Sequence, residues 1–435
     1  MERLAADGVT LKYIFETHFH ADFVSGHVSL AEQTGAEIIY GPTAMTSYKS
    51  RNAVDEEVFN VGNLTIKAMH TPGHTIESTC YLLSDKDGKA HCIFTGDTLF
   101  LGDVGRPDLS QKGAELTIDD LAGMLYDSLR QKIMPLPDDI LVYPAHGAGS
   151  ACGKNMMKIT VDSLGNQREV NYALRADMTK KEFITEVTDG LGAAPAYFPL
   201  NVKLNKEGYN HMDSIIEKGN QPLSPSQFES IQKGKQALVL DVRAKEAFAQ
   251  AHIPGSIFIG IDGSFAPWVG AIIADIEKPI LLVSAEGREE ETITRLSRVG
   301  FDNTLGYLDG GIVNWKKAGK ATSHVNQISA EELLTIDSTD TTIMDMRKPG
   351  EYASAHVDGF SNLPLSELQE KLDSLPQDKT FYEHCQSGYR SMIAASIIKA
   401  SGNDNVVDVI GGFKALKEKG ATIIAQQCST TLKEQ

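Results

Sequence analysis

Two rhythms of apolar and polar positions run along the chain. In the first half, short apolar runs at 13–15, 37–40, 64–68, 92–94 and 141–143 predict strands, each ending close to a His, an Asp or a Gly-rich turn. Polar groups carried on loops at strand ends are how α/β scaffolds build sites. The second half repeats itself. LVLDVRAKEAFAQAHIPGSIFI at 238–259 and TIMDMRKPGEYASAHVDGFSNL at 342–363 share Asp241, Arg243 and His252, which recur as Asp345, Arg347 and His356, each 104 residues on. Gly310-Gly311 likewise recurs as Gly411-Gly412. This is a tandem duplication of a unit of roughly 100 residues, an ordinary domain size. In each copy an apolar run (237–240, 342–344) ends in Asp-x-Arg and a second follows (279–284, 380–384), with helical stretches between them. That order predicts two α/β units with parallel sheets. The prolines in 219–226 mark a linker, so the expected domains are 1–221, 222–322 and 323–435.

Composition narrows the class. The 435 residues are too many for one core, and 41% hydrophobic with 23% charged residues excludes a largely disordered chain. With 41 basic against 58 acidic side chains the net charge is −17, which argues against nucleic acid or an anionic membrane as the main partner. No run reaches the roughly 18 apolar residues of a membrane span, and the opening residues lack an apolar block behind a basic head. Five scattered cysteines do not form a disulfide framework, so a cytoplasmic, thiol-reduced protein is expected.

Candidate chemistry concentrates in five elements of the first 150 residues: Thr17-His18-Phe19-His20-Ala21-Asp22-Phe23, Thr71-Pro72-Gly73-His74-Thr75, Phe94-Thr95-Gly96-Asp97, Gly105-Arg106-Pro107-Asp108 and Tyr143-Pro144-Ala145-His146-Gly147. Imidazole and carboxylate are ligands of borderline divalent metals, and short turns can aim several of them at one point. His18, His74 and Asp97 sit in separate strand-end motifs and read as metal ligands; His27, His70 and His91 read as surface or hydrogen-bonded histidines.

These motifs resemble the metallo-β-lactamase superfamily, most closely its persulfide dioxygenase branch, over residues 1 to about 221. The resemblance implies an αββα sandwich, with fewer strands before the first metal motif than family members have; a partner subunit covering that edge, in a homo-oligomer, is one way to complete it. The superfamily's H-x-H-x-D-H motif departs here, because Phe23 stands at the final His. A phenyl ring ligates no metal, so a dinuclear hydrolase of the glyoxalase II kind, with two zinc or iron ions, becomes the alternative. The resemblance instead implies one Fe(II) per chain on His18, His74 and Asp97, leaving open positions for O₂ and a low-molecular-weight thiol persulfide of the glutathione type. His20, Asp22 and His146 would orient ligands or substrate, and Arg106 would grip the thiol carrier's carboxylate, the alternative being a pairing with Asp103 or Asp108. Where animal members carry a substrate-binding tyrosine, this chain has Ala148.

Cys385 lies in His384-Cys385-Gln386-Ser387-Gly388-Tyr389-Arg390, between a strand and the apolar helix 392–400. A cysteine where a loop opens into a helix meets free backbone N–H groups and the positive end of the helix dipole, which stabilise a thiolate or persulfide. Arg390 adds charge. C-x-x-G-x-R with Asp-x-Arg upstream resembles the rhodanese (sulfurtransferase) family. The first copy resembles it too but carries Ala285 in place of the cysteine and is expected to be silent. Cys80, Cys92, Cys152 and Cys428 read as structural or incidental. The expected activity is oxidation of a thiol persulfide to sulfite plus thiol, coupled to sulfane-sulfur transfer through Cys385; a non-oxidising sulfur carrier is a further alternative.

Overall fold

Strands β1 (Tyr13–Phe15), β2 (Glu37–Tyr40) and β3 (Arg51–Asn52) form a small parallel sheet in that order. The computed structural model describes residues 1–109, 116–192, 194–336 and 341–425. A second sheet holds β4 (Val58–Val61), β5 (Leu64–His70), β6 (Thr79–Ser84), β7 (Ala90–Gly96), β8 (Leu141–Pro144) and β9 (Asp162–Ser163) in chain order. Neighbours run antiparallel except β7 and β8, whose connection passes through the helix Ile118–Ser128. Side chains alternate faces along β5 and β6. Met69, Cys80 and Leu82 face one way and share a core with Ala122 and Leu125 of that helix. Ala68 and Tyr81 face the other way, with Ile39, Ala53 and Phe59, and join the two sheets. The Tyr81 hydroxyl donates to the Glu16 carbonyl at 2.9 Å, tying β6 to the residue after β1. Helices outside two stacked sheets give the expected αββα sandwich.

The duplicated half shows its history in its topology. The first copy is a parallel sheet of β10 (Pro222–Leu223), β11 (Leu238–Asp241), β12 (Ile257–Phe258), β13 (Ile280–Val283) and β14 (Thr304–Leu308), in the order β10-β14-β13-β11-β12. The second copy uses β15 (Asn326–Ile328), β16 (Ile343–Asp345), β18 (Ser361–Asn362), β19 (Phe381–His384) and β20 (Val406–Val409), in the order β15-β20-β19-β16-β18. Position for position the two orders are identical. The second copy adds a two-stranded antiparallel pair, β17 (Ala355–Val357) with β21 (Ile423–Ala425).

The chain divides into one unit of Met1–His211 with Arg298–Gly300 and another of Met212–Ser297 with Phe301 onward. The second unit therefore takes in the helix Met212–Gly219, ahead of the expected boundary at 221. Ile215 of that helix is buried, and Gly219 lies against Thr304 and Ile293. Among the described residues, no helix is long and apolar enough to cross a membrane.

Candidate metal centre and sulfur-transfer loop

Loops at the ends of β1, β5, β7 and β8 deliver His18, His74, Asp97 and His146 to one place. His74 Nε2 lies 3.3 Å and His18 Nε2 3.7 Å from Asp97 Oδ2, and all three side chains are buried. Neither Asp97 oxygen has a hydrogen-bond partner among the described residues. A bare buried carboxylate is costly unless a cation sits against it.

The imidazoles agree with a cation. His74 Nδ1–H donates to the Arg106 carbonyl at 2.8 Å, which leaves the Nε2 lone pair aimed at Asp97. His18 Nδ1 is likewise engaged by Thr17 Oγ1 at 2.9 Å. Burial first, then the neighbouring imidazoles, hold His18 well below the ordinary histidine range; the same causes bring His20 down to about 3. Both rings are neutral at physiological pH, the form that ligates metal. The sequence permits this packing through two glycines. Gly73 has φ +147° and a Cβ there would strike Leu125, while a Cβ at Gly105 would meet the Asp97 carbonyl at 2.2 Å and His74 Nδ1 at 2.9 Å.

His20, Asp22 and His146 form a second cluster, with ligand atoms within 4.8 Å of one another. His146 joins it to the first, 3.5 Å from Asp22 Oδ2 and 3.4 Å from Asp97 Oδ1. Phe23 borders it: the ring stacks on His20 at 4.4 Å between centroids and stands edge-on to His146 at 6.2 Å. A hydrocarbon face thus flanks the second cluster.

Two findings differ from the sequence reading. Arg106 does not face the cluster with a free guanidinium. It forms a bidentate pair with Asp108 (2.6 Å at each end) and donates to the Gly192 and Ala151 carbonyls. Its backbone carbonyl, not its side chain, serves the centre by holding His74. Cys152, read as incidental, places its sulfur with Asp97 and His146, the three ligand atoms lying within 4.8 Å of one another. Burial and the Asp97 and Asp22 carboxylates push its thiol well above the ordinary cysteine range. Its position six residues after His146, in a Gly- and Ser-rich stretch, was the only signal. The remaining histidines behave as expected: His27 Nε2 pairs with the Tyr48 hydroxyl, His70 Nε2 with the Ile76 carbonyl, and His91 is exposed. Cys80 and Cys92 are buried in or beside β6 and β7, and Cys428 lies outside the described residues.

Cys385 follows β19 and is 1% exposed. Its Sγ accepts from the Gly388 N–H at 3.2 Å, and Gly388, at φ +96°, caps the buried helix Tyr389–Ala400. The loop is clamped from behind, where the Cys385 carbonyl accepts from Phe413 N–H at 2.7 Å. Arg390 is paired with Glu351, Nη1 to Oε2 at 2.5 Å and Nη2 to Oε1 at 2.9 Å, so its charge reaches the sulfur partly balanced. Arg347 pairs with Asp345 and lies over the Phe413 ring at 3.9 Å. In the first copy the equivalent loop holds no sulfur, and Arg288 is tied to Asp262 and Glu291.

Behind Cys385, the Glu383 carboxyl is buried with neither oxygen hydrogen-bonded among the described residues. Burial, then Asp408 and Cys385, raise it well above its ordinary value of 4.5. Such a group binds its proton more tightly folded than unfolded, so stability falls as pH rises above the unfolded value. Wild-type melting temperature is expected to drop as pH rises above about 5, and Glu383→Gln to flatten that drop by several degrees. Melting curves across that range check it.

Comparison with known proteins agrees with this architecture. Residues 1–146 match the family model of the metallo-beta-lactamase superfamily, and residues 224–318 and 329–419 each match that of the rhodanese-like domain. The chain is therefore a metallo-β-lactamase domain followed by tandem rhodanese-like domains. It is similar to a metallo-beta-lactamase from Staphylococcus aureus subsp. aureus COL, at 29% identity and a TM-score of 0.60, covering 71% of this chain and 86% of that one. ETHE1 from Myxococcus xanthus is 29% identical with a TM-score of 0.39, covering 47% of this chain and 80% of that one. The probable hydroxyacylglutathione hydrolase glo2 of Schizosaccharomyces pombe is 33% identical over 145 residues, 33% of this chain and 52% of that protein. The chain spans about half the length of the curated relatives it matches.

Proposed function

We propose that the metal domain oxidises a low-molecular-weight thiol persulfide with O₂ and that the second rhodanese-like domain moves sulfane sulfur on Cys385. The observation that carries the first half is the two-histidine, one-carboxylate set of His18, His74 and Asp97. Phe23 supports it, standing where a dinuclear centre would carry another donor. Two imidazoles and a carboxylate on one face suit ferrous iron, which when bound supplies O₂ activation beside the substrate sulfur. The overall reaction balances as RSSH + O₂ + H₂O → RSH + SO₃²⁻ + 2H⁺.

The chain's own part is positional. Thr17 and the Arg106 carbonyl hold the two histidine rings by their Nδ1 atoms, and the apolar Phe23 ring beside the cluster limits water. Asp22 and His146 stand ready to accept the protons released. At the other site the Cys385 thiolate attacks the outer sulfur of a donor such as thiosulfate, sulfite leaves, and the Cys385 persulfide passes that sulfur to an acceptor thiolate or cyanide. A cytoplasmic home and low-molecular-weight thiols as partners belong to the same proposal.

A second reading, thioester hydrolysis by two zinc or iron ions, is favoured by the preformed cluster of His20, Asp22 and His146. Oxygen uptake with glutathione persulfide, set against hydrolysis of a hydroxyacylglutathione, separates the two. In addition, Phe23→His is expected to raise bound metal from one toward two ions per chain, read by elemental analysis. An unchanged content in that variant would mean the second cluster cannot hold an ion even with the donor restored.

A further inference from the structure

The silent rhodanese copy reaches into the loop of the active one. Lys245, at the start of the helix Lys245–Gln250 of the first copy, donates from Nζ to the Ser387 carbonyl at 2.6 Å. Ser387 belongs to the loop between Cys385 and the helix Tyr389–Ala400. Around this contact the copies are tied twice more. The Tyr389 hydroxyl donates to the Gly260 carbonyl at 2.6 Å, and the Phe258 N–H donates to Ser396 Oγ at 3.0 Å. Tyr389 lies so close to Gly263 that a Cβ there would come within 2.4 Å of its ring.

The peptide unit that Lys245 grips is the one that serves the sulfur. The Ser387 carbonyl and the Gly388 N–H are two ends of a single amide, and in a trans peptide they point in opposite directions. Anchoring the carbonyl on an ammonium group therefore turns the N–H toward Cys385 Sγ, where it is found at 3.2 Å. A cation on the oxygen also draws electron density through the amide and makes that N–H a stronger donor. Gly388 allows the approach, since a Cβ there would sit 2.8 Å from Lys245 Nζ.

We infer that Lys245 of the cysteine-less copy is a positioning residue of the Cys385 site: it orients and polarises the Ser387–Gly388 amide that stabilises the thiolate and the persulfide. The silent copy thereby has a chemical task, which explains why a domain without a nucleophile carries a lysine at this place. The inference rests on reading Cys385 as the sulfur-transfer nucleophile. Other charges facing the sulfur are Arg390, held by Glu351 on the helix Pro349–Ser354, and Glu383 on its own strand, with Asp408 beside Glu383 on β20. Glu246 stands 3.8 Å from Lys245 Nζ on the silent copy. None of these others bonds the Ser387 carbonyl among the described residues.

The test uses the full chain and two readouts. Alkylation of Cys385 by iodoacetamide, followed by mass spectrometry of the Cys385 peptide across pH 6–10, reports the thiolate without turnover. Thiosulfate:cyanide sulfur transfer reports the activity. Lys245→Met is expected to shift the alkylation profile upward by about one pH unit, a roughly ten-fold slower reaction at pH 7. It should lower kcat by a similar factor while the KM for thiosulfate changes less than two-fold. Lys245→Arg should restore most of both, and Lys245→Gln, which keeps a donor but no charge, should fall between. If the Met variant melts several degrees lower, the Arg and Gln variants carry the comparison. Alkylation profiles that coincide for wild type, Met and Gln would overturn the inference. A shifted profile in a protein that never turns over thiosulfate would leave the role of Lys245 standing and refute the sulfurtransferase reading.

Discussion

Asp97→Ala is expected to lose bound iron and all measurable oxygen uptake with glutathione persulfide, while thiosulfate:cyanide transfer stays within two-fold of wild type. Asp97 faces three imidazoles at once: its Oδ2 lies against His18 and His74 and its Oδ1 against His146. Removing it deletes the only anion among the three proposed ligands and leaves neutral imidazoles around a cation. Loss of a partner that merely orients a ligand costs about 10–100-fold in metal affinity, so losing the anionic ligand itself is expected to cost at least about a hundred-fold. Asp97→Asn makes a gentler comparison, because the amide is close in shape but carries no charge. Iron content by elemental analysis and an oxygen electrode read the result. Retained iron in the Ala variant would place the ion elsewhere.

Cys385→Ser is expected to abolish sulfur transfer, by on the order of a thousand-fold or more, and to leave oxygen uptake unchanged. A serine hydroxyl fits where the thiol sat and can keep the Gly388 N–H contact, so the fold survives. It cannot act as a thiolate at neutral pH, and it cannot carry a persulfide. The opposite pattern in Asp97→Ala and Cys385→Ser would show that the two chemistries occupy separate sites. Loss of both activities in Cys385→Ser would instead mean that sulfur reaches the metal through this cysteine.

The clustering of His18, His74 and Asp97 and the placing of Cys385 at a helix start were legible because each lies in a short motif: His18 and His20 on one turn, His74 after Gly73, Asp97 after Gly96, Cys385 three residues before Gly388. The duplication was legible too, and strand order confirmed it independently. What escaped depends on partners far away in sequence or on too little pattern. β4 has one buried residue in four, and β6 is buried on both faces, so neither alternates enough to announce a strand. For Arg106 the alternative reading holds over the substrate clamp: Asp108, two residues on, completes its fork within the protein. Cys152 reaches the centre through a loop with no metal-binding spacing. Lys245 acts across 142 residues of chain, a distance no local motif spans.

The most direct test of the account is the metal content of the full chain purified without oxygen and loaded with ferrous iron, together with its oxygen uptake on glutathione persulfide. One iron per chain, and one O₂ consumed for each sulfite formed, is the expected result. Two metal ions per chain with no oxygen uptake, and brisk hydrolysis of a hydroxyacylglutathione, would contradict it.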